Sequence, residues 1–145
     1  LDMEIEAFNF ADSLLGILAQ RLARRVCKKC GEDYHPDEAE FMGMVEAYGA
    51  DEFEATGIKY TPDLSLRRPV GCPNCAGTGY RGRLALHELM LGTDEIKRLI
   101  QKEARVEEIR TQAKADGMTT LMQDGVVKVF EGITDMKQVR AVCIK

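Results

Sequence analysis

The sequence has no tryptophan and two histidines, and aromatic residues make up 6% of its 145 positions. No run of about 18 apolar residues occurs, so no segment is expected to span a membrane. No G-x-x-x-x-G-K-[ST] stretch is present, which excludes a phosphate cradle of that kind within these residues. With His35 and His87 as the only imidazoles, no Ser-His-Asp arrangement is justified. Leu1 to Glu6 are acidic and amphipathic and lack the basic start and apolar run of a signal peptide. The chain does not open on Met and is read as a piece cut from something longer.

Against these absences stand five cysteines. Four form two pairs, Cys27-Lys28-Lys29-Cys30 and Cys72-Pro73-Asn74-Cys75, separated by residues 31–71. Each Cys-x-x-Cys turn offers two soft sulfur ligands from one tight loop, and two such turns complete a tetrahedral zinc site. Without an export signal, this cysteine use favours a reducing cytoplasm and metal ligation over disulfides. Cys27, Cys30, Cys72 and Cys75 are therefore the expected ligands of a structural Zn²⁺. Unrelated surface thiols or a pair of disulfides are the competing reading. His35 is the one other candidate ligand near them, but a structural site closes at four. Cys143, between Val142 and Ile144, reads as a small apolar residue on a helix face.

The net charge is −4, and its distribution is uneven. Arg21, Arg24, Arg25, Lys28 and Lys29 lead into the first pair. Arg67, Arg68, Arg81 and Arg83 flank the second. Four thiolates on one Zn²⁺ carry a formal charge of about −2, which nearby cations would offset. Solvated basic turns are an equally weighted reading. Residues 31–66 invert the balance, with ten acids against Lys59 alone. They suit a basic partner surface, or simply solvation as loop charge.

The fold class expected is α+β, mainly helical. Ala7 to Leu18 reads as a helix, and Leu18 to Val26 either continues it or turns into a short strand. Pro36 opens a helix over Asp37 to Tyr48 that Gly49 ends. Residues 50–71 read as irregular. Tyr80 to Leu91 reads as strand, with a bend at Gly82. Four helices follow: one capped by Thr93, one from Val106 to near Gly117, one through Leu121 to Phe130 weakened by Gly125, and one capped by Thr134.

Gly77-Thr78-Gly79-Tyr80-Arg81-Gly82 matches G-x-G-x-x-G, but it follows a Cys-Pro-x-Cys turn and opens a strand. The dinucleotide fingerprint needs the reverse context. These glycines are better read as letting the backbone turn behind Cys75 and aim N–H groups at sulfur. His87-Glu88 reads as a strand-end histidine rather than an acid–base pair. No residue is assigned a catalytic or nucleotide-binding role.

Three blocks together resemble a known family: Leu18 to Cys30 (L-A-Q-R-L-A-R-R-V-C-K-K-C), Gly71 to Arg83, and His87-Glu88-Leu89. They are similar to the C-terminal region of secretion ATPases, the GspE-type motors of bacterial type II secretion and the PilB-type motors of type IV pilus assembly. The resemblance covers nearly the whole chain. It implies a hexameric parent that hydrolyses ATP with Mg²⁺ in a RecA-like motor domain. Residues 1–26 would end that domain, 27–79 would be a tetracysteine zinc-binding subdomain, and 80–145 a return strand and C-terminal helical subdomain. It also implies a cytoplasmic location, peripheral at the inner membrane through partners. Those partners would be neighbouring subunits, the membrane platform and other cytoplasmic-face components. Walker A and Walker B would lie upstream of Leu1, so these residues alone should not hydrolyse ATP.

Two rival functions differ in class. A zinc ribbon for nucleic acid would use the basic turns, but the chain is acidic and its aromatics do not interleave with them, so no nucleic-acid partner is expected. A client-binding module is suggested by Cys72 to Gly79, which resembles one repeat of the DnaJ-type zinc region. That region needs four repeats, and here there is one.

Overall fold

The computed structural model describes residues 16–143. Residues 7–15 of the expected first helix lie outside them. Gly16 to Leu18 belong instead to strand β1, Gly16–Val26, which pairs with β4, Tyr80–Leu91. The apolar spacing of Leu18 to Val26 suits either period, and pairing with β4 satisfies the backbone as strand. A second two-stranded sheet joins β2, Glu32–Tyr34, to β3, Leu66–Arg68. The pair is antiparallel, with Glu32 opposite Arg68, Asp33 opposite Arg67 and Tyr34 opposite Leu66. Opposite charges face each other across this ladder, and the Arg68 guanidinium lies 4.5 Å from the Tyr34 ring centre.

Between β2 and β3 the chain builds helix α1, Glu38–Tyr48. Asp37 caps it, accepting from the Glu40 N–H at 2.7 Å. Phe41, Met44 and Val45 fall on one buried face. Gly49, at φ 110°, stops it. Residues 50–71 are more regular than their punctuation implies. Helix α2 covers Ala50–Phe53, a 3₁₀ turn covers Glu54–Thr56, and β3 falls at the end. Phe53 is what the composition hides: a buried aromatic between acidic neighbours.

The chain divides into two compact units, and β1 and β4 contribute residues to both. One comprises, among the described residues, 20–86 and 121–143. Its core unites α1 with α5, Leu121–Phe130, and α6, Met136–Val142, around Met44, Leu66, Val126, Val129 and Val139. Gln123 is buried there, and its amide donates to the Tyr48 carbonyl at 2.9 Å and to Glu52 at 2.6 Å. Cys143 packs against this core, as an apolar residue would. The other unit comprises, among the described residues, 16–19 and 87–120. Helices α3, Asp94–Gln101, and α4, Val106–Ala115, close over Ile96 and Ala113 with Met90, Ile100, Ile109 and Met118. Thr93 caps α3 as its sequence position implies.

Thr134 does not cap α6. Its hydroxyl donates to the Arg24 carbonyl at 2.7 Å, fully buried, and Asp135 takes the cap by accepting from the Gln138 N–H. Both residues suit the cap, and the buried Thr134 hydroxyl is satisfied by the Arg24 carbonyl instead. Gly125 is a packing requirement rather than a helix defect. A methyl group there would stand 2.5 Å from Val139 Cγ1 and 3.2 Å from Leu86 Cδ1. Alanine recovers about 1 kcal/mol of helix propensity, whereas overpacking costs about 1–3 kcal/mol. Gly125→Ala is expected to lower the denaturation midpoint, and an unchanged or raised midpoint would show that α5 and α6 pack more loosely than described.

The architecture is thus mixed α+β, with six α-helices and two small sheets among the described residues.

Candidate metal centre

Cys27 follows directly on β1, and its loop closes through the Gly31 N–H bonding the Cys27 carbonyl at 2.9 Å. Cys72 and Cys75 bracket a 3₁₀ turn opened by Pro73. The two loops are stitched by one backbone bond, Cys27 N–H to the Gly79 carbonyl at 2.8 Å. That bond depends on Gly79, which adopts φ 84° and has Pro69 Cβ only 2.5 Å from where its own Cβ would stand.

The four sulfurs lie within 4.8 Å of one another. Three separations are short: Cys27 to Cys72 and Cys30 to Cys75 at 3.8 Å, and Cys72 to Cys75 at 3.7 Å. A zinc–thiolate bond of about 2.3 Å in a tetrahedron requires sulfurs about 3.8 Å apart. A disulfide requires about 2.05 Å. The donor set therefore fits a tetrahedral thiolate-bound metal and not a pair of disulfides. Cys27 and Cys75 are buried and the other two partly so.

Backbone donors surround the sulfurs. The N–H groups of Cys72 and Gly79 each point at Cys75 Sγ at 3.2 Å, and that of Gly71 at Cys30 Sγ at 3.2 Å. The Gly77–Gly82 run thus aims an amide at sulfur, as its sequence reading held. Such donors stabilise thiolate. In the metal-free chain the Cys30 backbone N–H is the main cause lowering the Cys27 thiol. Burial opposes ionisation of Cys75, but the Cys72 and Gly79 amides outweigh it and bring the thiol to about 6. Burial dominates at Cys72 and pushes it up to about 11. The backbone donors thus favour thiolate at Cys27 and Cys75, and metal binding at Cys72 would displace its proton.

Two arginines brace the loops. Arg67 donates to the Gly31 carbonyl at 2.7 Å and to Asp33 at 2.9 Å. Arg81 donates to the Asn74 carbonyl at 2.5 Å and its side-chain oxygen at 3.0 Å. Their charges lie beside the sulfur loops, and each arginine bonds one backbone carbonyl of a loop and one side-chain oxygen. The flanking arginines were visible in the sequence; Asn74 and Gly71 were not, because their roles come from a close approach of distant segments. His35 stays outside the sulfur cluster. Its Nδ1 sits 2.7 Å from the Leu64 carbonyl, and its ring packs on Tyr60. His87 and Glu88 lie along β4.

These features define a mixed α+β protein with a four-cysteine site shaped for a metal ion. The chain belongs to the type II/IV secretion system protein family, whose model matches residues 1–141. It is 39% identical over 140 residues to the type IV pilus assembly ATPase PilB of Thermus thermophilus, covering 97% of this chain and 15% of that protein. It is 38% identical over 140 residues to the type II secretion system protein E of Pectobacterium carotovorum, covering 95% and 25%. The type II secretion system ATPase E of Vibrio cholerae is 37% identical over 141 residues, covering 97% and 25%. The chain thus spans a quarter or less of the length of these relatives. Among the described residues no helix is long and apolar enough to cross a membrane.

Proposed function

We propose that this chain is the non-catalytic C-terminal part of an ATPase that drives pilus or pseudopilus assembly and protein secretion. The single observation that carries the reading is the sulfur tetrahedron, set in a chain whose similar proteins are named as ATPases of these two systems. Cys27, Cys30, Cys72 and Cys75 would hold Zn²⁺, which when bound supplies a structural cross-link. The protein's own contribution is to orient four sulfurs, shield two of them and aim three backbone N–H groups at them.

In chain order, residues 1–26 close a RecA-like motor domain, 27–79 form the tetracysteine subdomain, and 80–145 supply a return strand and a helical subdomain. ATP and Mg²⁺ belong to the parent protein, in keeping with the lack of a phosphate-cradling loop here. The parent acts as a hexamer in the cytoplasm, held at the inner membrane through the platform and other cytoplasmic-face components.

The test measures metal content and ATP hydrolysis on the parent protein and on the chain alone. Expected results are about one zinc per chain in both, as a single four-ligand site requires, and hydrolysis by the parent only. Hydrolysis by the isolated chain, or zinc content unchanged in Cys27→Ser with Cys72→Ser, would refute the reading.

A further inference from the structure

An open groove of about 590 Å³ runs along α1 and the 50–60 segment, within the unit that holds the sulfur cluster. Its apolar lining includes Phe41, Val45, Phe53 and Ile58. At its side Met42 is 50% exposed and Tyr60 39% exposed. Met42 lies outside the core, Tyr60 packs on Phe41 and His35 from one side only, and both leave apolar surface in water next to a recess.

The surrounding charge is mainly acidic, with Lys59 the one basic residue in the lining. Four of the ten acids in residues 31–66 have internal work: Asp33 pairs with Arg67, Asp37 caps α1, Glu40 accepts from Tyr34 and Glu52 accepts from Gln123. Glu38, Glu46, Asp51 and Glu54 do not. All four are exposed, and none forms an ion pair among the described residues. Glu38 and Glu46 stand one turn before and one turn after Met42, on the same helical ridge. Glu54 lines the groove and Asp51 follows Ala50, which also lines it. The only basic residue of the stretch is Lys59. Like charges spaced along one ridge weaken a fold slightly. Opposite a cationic ligand the same spacing becomes attraction and sets register.

We propose that this groove docks a basic amphipathic segment of a partner protein, with two or three large apolar side chains in the recess and Lys or Arg against Glu38, Glu46, Asp51 and Glu54. This is recognition of a helix by a groove, with the acidic rim supplying orientation and salt dependence. The inference rests on the surface of this unit and not on the identity of the metal.

The probe is a labelled helical peptide of about 15 residues built from Leu, Ala and Lys in amphipathic order. Its controls are the same composition in scrambled order and a Glu-for-Lys version. Binding to the metal-replete chain is followed by fluorescence anisotropy and by amide shift mapping. The ordered peptide is expected to perturb residues 41–60, to weaken with salt, and to bind about tenfold more tightly than the scrambled one. Met42→Lys and, separately, Glu46→Lys with Glu54→Lys are each expected to weaken it about tenfold, with melting curves close to that of the parent chain. Equal affinity for the scrambled peptide would reduce the effect to net charge and overturn the proposal. Shifts centred elsewhere would also overturn it. So would concentration-dependent self-association abolished by Met42→Lys, which would assign the groove to a second copy of this chain.

Discussion

Stripping the metal with a chelator is expected to release amide protection throughout residues 20–86 and 121–143, while α3 and α4 keep theirs. The physical reason is the shared core. Sequence order alone suggests that zinc loss acts on the 27–79 excursion and spares the helices after it. In the structure α5 and α6 pack on α1, so Val126, Val129 and Val139 lose their partners when the excursion loosens. Apparent binding energies of structural zinc reach about 10–16 kcal/mol, as large as the whole stability of an ordinary domain at about 5–15 kcal/mol. Cys75→Ser should act as chelation does, because Cys75 is buried, receives two backbone N–H groups and lies within 3.8 Å of two other sulfurs. Hydrogen exchange with mass readout measures this directly. Protection lost evenly over α3, α4, α5 and α6, or lost nowhere, would count against both the structural role of the centre and the division of the helices described here.

Truncating Phe41 is the second large effect expected. Its ring meets Phe53 edge-on at 5.8 Å and lies 5.2 Å from Tyr60 and 6.0 Å from Phe130. Among the described residues only Phe53 meets as many aromatic rings, and Phe41 and Phe53 together join Tyr48, Tyr60 and Phe130 into one cluster. Phe41→Ala removes a ring from a packed site and leaves a cavity, at about 3–5 kcal/mol. That is enough to leave this unit marginal or unfolded at room temperature. Met42→Ala, one residue on and half exposed, should cost about 0.5 kcal/mol or less. Chemical denaturation of the two variants separates core from groove. A similar loss in both would mean that the 41–60 segment does not pack as described.

Much of the local structure was legible because it depends on neighbours in the chain. Asp37 and Thr93 cap their helices through side chains that reach amides three residues on. Gly49 stops α1 through its own φ angle. Tyr80 to Leu91 reads and folds as strand. The candidate ligands were legible for the same reason, since a Cys-x-x-Cys turn brings two sulfurs together by itself. Other readings needed partners that local pattern does not identify. Gly16 to Leu18 read as the end of a helix and Leu18 to Val26 fit either period, and pairing with β4 made both strand. Thr134 and Asp135 compete for one cap, and the Arg24 carbonyl, more than a hundred positions away, decided between them. Phe53, Leu66 and Arg67 sit in a stretch punctuated like a loop, and their roles appear only once β3 meets β2.

The sequence by itself determined which residues are able to ligate a metal, where most helices begin, and which family the chain resembles. All three are properties of short-range spacing and residue chemistry. Only the tertiary structure decided that the two cysteine turns bring four sulfurs into one cluster, that α5 and α6 belong to the core of α1, and that Glu54 lines an apolar groove along α1. Those outcomes depend on contacts between residues dozens of positions apart, where chain proximity carries no information and packing and hydrogen-bond satisfaction choose among the alternatives.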